Sequence, residues 1–157
     1  MAERYIIDSP AVALTAGTAK SVLVATASSG GPFRVIEFTV GCDATAAGLL
    51  KAEFLVGTLA GGTTGTAPPI ARMNGEAYAV APTTAASLYT AEPTYTKHAS
   101  NGALAIKTII IPLPAPPYDI EYPLGRDFYC PLSNVFAVRL TSTTVSPNSY
   151  TSLAIEE

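Results

Sequence analysis

Phe33-Arg34-Val35-Ile36-Glu37-Phe38-Thr39-Val40-Gly41 is the stretch whose reading decides the fold class. Aromatic and β-branched residues fill most of its positions, which suits a pleated, half-buried backbone. Strict alternation puts Phe33, Val35, Glu37, Thr39 and Gly41 on one face. It puts Arg34, Ile36, Phe38, Val40 and Cys42 on the other, and this second set, apolar after Arg34, reads as the core face.

The same period recurs on either side. In residues 49–59, Leu50, Ala52, Phe54 and Val56 share one side, while Lys51, Glu53 and Leu55 share the other. Residues 11–14, 20–26, 103–111, 118–122, 126–130, 135–141 and 150–155 also read as extended. Residues 4–7 read as a short extended arm. Between 70 and 90 the pattern is weakest, and it suggests a brief strand at 76–80 and one short helical turn at 84–88. The 13 Pro and 12 Gly are spread through the chain and cut it into pieces too short for most helices. About eight strands at short spacing predict an all-β fold, a single-domain jelly-roll-like β-sandwich with a short helical turn at most. The expected division is an extended N-terminal arm over 1–10 and a β-sandwich domain over 11–157.

Composition narrows the function classes. Only 13% of the 157 residues are charged, against ~25% in an average soluble domain. Hydrophobic residues make up 48% and the mean hydropathy is +0.32. The most apolar run, 104–113, is interrupted by Lys107 and ends in prolines, whereas a spanning helix needs ~20 apolar residues. The chain is therefore read as soluble, without a membrane partner, and made in a cytoplasm. A net charge of −3 and singly scattered basic residues give no draw toward nucleic acid. Cys42 and Cys130 have no metal-ligand spacing and read as small apolar thiols, with a disulfide left open.

No catalytic set emerges. His98 sits in a polar loop pattern without a nucleophile motif beside it. Gly61-Gly62-Thr63-Thr64-Gly65-Thr66 lacks the lysine of a phosphate-binding loop. Asp119 and Glu121, two apart, share a strand face and read as solvated. No enzyme, cofactor or metal site is expected. Eight Tyr and five Phe suit an interface, where a ring covers area and a hydroxyl finds a partner.

Several segments occur together in an order that resembles a known family. They are residues 14–23 (Leu14-Thr15-Ala16-Gly17 onward), 33–45 (closing Gly41-Cys42-Asp43-Ala44-Thr45), Thr90-Ala91-Glu92-Pro93-Thr94, and Tyr122-Pro123-Leu124-Gly125-Arg126-Asp127, with a last strand ending in Glu156-Glu157. The set resembles the jelly-roll cement or decoration proteins of tailed-bacteriophage capsids. The resemblance implies a structural virion protein on the capsid exterior that binds the major capsid protein lattice and stabilises the head. It also implies a homo-oligomer, a trimer first and a dimer second. The alternative carried beside it is a receptor- or glycan-binding virion module, since jelly rolls serve both uses.

Exposed, conformationally restricted segments are where binding is usually placed on a rigid scaffold. The candidate contacts are accordingly Arg4, Tyr5 and Ile6 in the arm, and Thr63, Thr64, Pro68 and Pro69 in the first loop. Pro114, Pro116, Pro117 and Tyr118 follow in the proline loop, where four of residues 112–117 are Pro. Arg34 and Arg126 are read two ways, as ion pairs across subunits or as surface charges within one.

Overall fold

The computed structural model describes residues 3–28, 30–73, 84–123 and 126–157. Among them are fifteen strand segments and no helix. They are β1 (Arg4–Asp8), β2 (Val12–Ala13), β3 (Ala19–Thr26), β4 (Phe33–Cys42), β5 (Gly48–Ala60), β6 (Thr63–Thr64), β7 (Ile70–Arg72), β8 (Ala85–Ser87), β9 (Tyr89–Ala91), β10 (Thr94–Lys97), β11 (Ala105–Leu113), β12 (Tyr118–Glu121), β13 (Phe128–Cys130), β14 (Val135–Ser142) and β15 (Asn148–Glu156).

Thirteen of the segments form an all-β sandwich of two antiparallel sheets, and β6 and β9 pair as a separate two-stranded sheet. The first runs β12-β4-β15-β1-β7, with β13 also on β4 and β2 on β15. The second runs β10-β5-β14-β3-β8, with β11 also on β5. Since β10 and β11 lie along one strand, and β12 and β13 along another, the long paths number eight in chain order. Their spatial orders are first-eighth-third-sixth and second-seventh-fourth-fifth, the double Greek key of a jelly roll.

Aromatic rings fill the space between the sheets. Phe38 meets Phe54 with ring centroids 4.2 Å apart, and Phe128 and Phe136 continue the cluster. Leu50, Ala52, Phe54 and Val56 all face this core, as the alternation in β5 predicts.

β4 departs from its own alternation. Phe33 and Val35 are buried in the core together with Phe38 and Val40. The cause is a bulge: Ala154 pairs with Glu37 and Ile155 with Val35, so Ile36 has no rung on β15. One extra residue reverses the in-out phase of everything before it. Phe33 and Val35 thus turn inward, contrary to the strict-alternation reading, and Arg34 turns out.

Two further expectations change. Residues 84–88 hold no helical turn: Ala85–Ser87 is β8, pairing Val24–Thr26 at the edge of β3 and burying Ala86. The stretch read as an arm is extended but built in. β1 lies between β15 and β7, with Ile7 in the core. The strand expected at 76–80 falls outside the described residues.

The second sheet is also covered on its outer face. Val24, Leu55, Val135 and Ala137 meet Tyr89 there, with Leu59, Tyr95 and Leu104 packed around them. This explains why β3 and β14 are buried almost continuously instead of alternately. The covering segment is pinned by Glu92, which accepts the Ser21 N–H at 2.6 Å and the Ser21 hydroxyl at 2.9 Å. The Tyr95 hydroxyl joins Ser21 Oγ at 2.6 Å, and burial pushes its pKa well up.

Cys42 and Cys130 are free thiols, the first half-buried and the second buried. No helix among the described residues is long and apolar enough to cross a membrane.

Candidate docking surfaces

The candidate contacts fall in separate places. Arg4 is exposed on β1 and pairs with Glu156 at 2.9 Å. Glu156 lies opposite both Arg4 and Arg34 in the ladder, so the two arginines flank one carboxylate on the outer face of the first sheet. Arg34 donates to both oxygens of Asp127, at 3.0 and 3.1 Å, so its charge is met within the subunit. Arg126 is exposed beside it in sequence. Tyr5 is only 1% exposed and belongs to the core, while Ile6 is half-buried on the outer side.

Thr63 and Thr64 are exposed on β6 and pair with β9. Pro68 is buried and Pro69 exposed. At the other end of the sandwich, Pro114, Pro116 and Pro117 are exposed and lead into half-buried Tyr118 on β12. Pro117 lies over Gly41, where a Cβ would sit 3.3 Å from the proline ring. Tyr150 is the cross-strand partner of Gly41. The missing side chain leaves a groove of about 540 Å³ along the exposed Tyr150, bounded by Thr39, Ser152, Asp8 and Asp43.

Electrostatics on this outer face are uneven. Burial, then the neighbouring Asp119 and Glu121, raises the pKa of Glu37. The Thr39 hydroxyl donates to Asp119 at 2.7 Å. Asp43 accepts both the backbone and side-chain N–H of Asn148, at 2.7 and 2.8 Å, and these hydrogen bonds lower its pKa. Among the described residues no group of three or more His, Cys, Asp and Glu side chains is placed to hold a metal ion. His98 is half-buried in the 98–104 connection.

One surface escaped the sequence reading. Among the described residues β11 is an edge strand, paired to β5 alone. Ile109, Ile111 and Leu113 face the core side, so Thr108, Ile110 and Pro112 face out. Ile110 is 54% exposed, and Leu49, the β5 partner of Pro112, is 44% exposed. Leu49, Ile110 and Pro112 make an apolar patch near Thr108, Thr141 and Thr143, with Lys51 the cross-strand neighbour of Ile110. Local sequence does not mark it, because Ile109, Ile110 and Ile111 run consecutively and read as core on either face.

The chain matches no protein-family model, no curated protein and no solved structure.

Proposed function

We propose that this protein is a structural component of a tailed-phage head, a cement or decoration protein on the exterior of the capsid. The observation that carries the reading is the outward apolar patch of Leu49, Ile110 and Pro112 on a rigid jelly-roll sheet. An apolar patch rimmed by threonine hydroxyls and by Lys51, whose charge is met by Glu53 at 2.8 Å, has the chemistry of an interface centre with its polar rim. Covering Leu49 and Ile110, each about half exposed, contributes on the order of 1 kcal/mol apiece. That is weak for one copy. Several copies joined in an oligomer, a trimer first and a dimer second, convert it into lasting attachment to the major capsid protein lattice. The order of the sequence motifs at 14–23, 33–45, 90–94 and 122–127, which resembles that of decoration proteins, supports the same reading.

The test uses heads that lack the protein. They are expected to lose their contents at a lower temperature than complete heads, and added wild-type protein restores survival. A Leu49→Glu/Ile110→Glu double variant, checked for native melting, is expected to bind such heads at least tenfold more weakly, about 1.4 kcal/mol. Equal heat survival with and without the protein refutes reinforcement. Undiminished attachment of the variant refutes this patch as the docking face.

A further inference from the structure

Among the described residues, two edge strands run along the same rim of the sandwich, and each is interrupted. β10 and β11 follow one another along β5, and residues 98–104 leave that path between them. β12 and β13 follow one another along β4, and the described residues Tyr122, Pro123, Arg126 and Asp127 leave that path. The excursions are level with each other. Phe38 packs on Phe54 across the core, and the positions one step beyond, Ile36 and Val56, mark where the two paths break. Between the excursions lies a cavity of about 380 Å³, inside the ~300–1,000 Å³ range of small-molecule sites.

Its floor is apolar, made by Val56, Ile106 and Phe128. Its walls are polar and point to one chemistry. Nδ1 of His98 accepts the Ser100 backbone N–H at 3.3 Å, so Nε2 carries the ring proton and is a donor. The Asn101 side-chain N–H donates to the Val56 carbonyl at 3.4 Å, leaving the Asn101 side-chain carbonyl as an acceptor. Tyr129 is 49% exposed, and the Arg34 guanidinium lies 5.5 Å from its ring centroid and steadies it. Asp127 also lines the cavity, but its side chain is 2% exposed and both oxygens are taken by Arg34.

Among the described residues that line the cavity, the one charged side chain, Asp127, is already paired. A charged ligand finds no counter-ion here. A purely apolar one would cover the His98 and Asn101 groups without satisfying them, which is costly. A neutral ring with one apolar face and hydroxyls on its edge satisfies all three walls. We propose that this rim pocket binds a neutral saccharide. The C–H face of a pyranose lies on Tyr129, and its hydroxyls accept from His98 Nε2 and donate to the Asn101 carbonyl. The site lies toward the Ala105 end of β11, away from Ile110 and Pro112, and does not depend on the head-binding reading.

The experiment is a two-dimensional ¹⁵N–¹H NMR titration of the full chain with galactose, glucose and N-acetylglucosamine. At least one is expected to bind with Kd on the order of 1 mM, shifting resonances of residues 98–104 and 126–131. Tyr129→Ala and Asn101→Ala are each expected to weaken that binding about tenfold or more, while Tyr129→Phe retains it. Tyr129 is solvent-facing, so its variants are expected to melt like wild type. Absence of saturable shifts with all three sugars overturns the proposal. So does binding that Tyr129→Ala leaves unchanged, or shifts confined to another part of the molecule.

Discussion

Replacing Gly57 by alanine tests how the interrupted edge of the second sheet is seated. Gly57 is opposite Lys97, at the last rung between β5 and β10. A Cβ added there overlaps the Thr96 carbonyl oxygen and lies 3.0 Å from its carbon and 3.1 Å from the Lys97 Cα. Ordinary C···O contacts are ~3.3 Å or longer. All three obstacles are backbone atoms, so no side chain can swing aside, and β10 must move away from β5. The strand is held by the pairing of Thr94–Lys97 with residues 57–60. Giving up most of that short ladder, at ~1 kcal/mol per net hydrogen bond, costs about 2–4 kcal/mol. At ~2–4 °C per kcal/mol for a chain of this size, Tm falls by about 4–16 °C. Gly102 is the internal control, because a Cβ there meets nothing within 4 Å. Gly102→Ala is expected to be neutral or to stabilise by up to ~1 kcal/mol through the unfolded chain. Urea melts followed by circular dichroism give both values. A Gly57→Ala protein within ~0.5 kcal/mol of wild type, the range of innocuous surface changes, refutes the seating of β10 described above.

Two carboxylates give opposite pH signatures. Glu37 has a folded pKa above its unfolded one, from burial and from Asp119 and Glu121. Its charge costs stability near neutral pH, and that cost disappears as pH falls through the raised value. Glu37→Gln is therefore expected to stabilise near neutrality and to change little in acid, read by urea melts at a series of pH values. For Glu53, burial opposes ionisation, but Lys51 at 2.8 Å and Arg139 at 3.1 Å outweigh it and lower the pKa. Its contribution is present above the ordinary glutamate value of ~4.3 and is lost as pH falls through the folded one. Glu53→Gln should thus destabilise near neutrality and flatten the acid limb. An unchanged acid limb would argue against this pairing. For the thiols, burial pushes Cys130 up to about 12. Iodoacetamide at pH ~8 is expected to label Cys42 alone in the native protein and both thiols in denaturant, read by intact mass. Native labelling of Cys130 at the Cys42 rate would contradict its burial.

Much of the sandwich was legible because period-2 patterning is a local property. Leu50, Ala52, Phe54 and Val56 in β5 face the core as the pattern requires. The pattern misleads where the backbone adds a residue. Phe33 and Val35 alternate correctly with Glu37 and Thr39 on paper, but the bulge at Ile36 puts them on opposite faces. It also misleads at Leu55, which points away from the core and is still buried, because Tyr89 and Tyr95 cover the outer face. The candidate surfaces were less legible. Proline and threonine marked exposed loops at Thr63, Thr64 and Pro114–Pro117, but nothing local distinguished the open face of β11 from its core face. The rim pocket was illegible in kind. His98, Asn101 and Tyr129 are brought together by two separate interruptions in strands of different sheets.

Taken alone, the order of residues determined that the backbone is extended, that it turns often, and that few charges face water. Those are decided within a few residues by side-chain shape, ring closure in proline and the cost of desolvating charge. Which strand borders which, where a bulge reverses a face, which edge stays open and which side chains meet across the rim were decided only by the packed sheets. Each depends on a partner far along the chain, as Arg4 depends on Glu156 and Asp43 on Asn148.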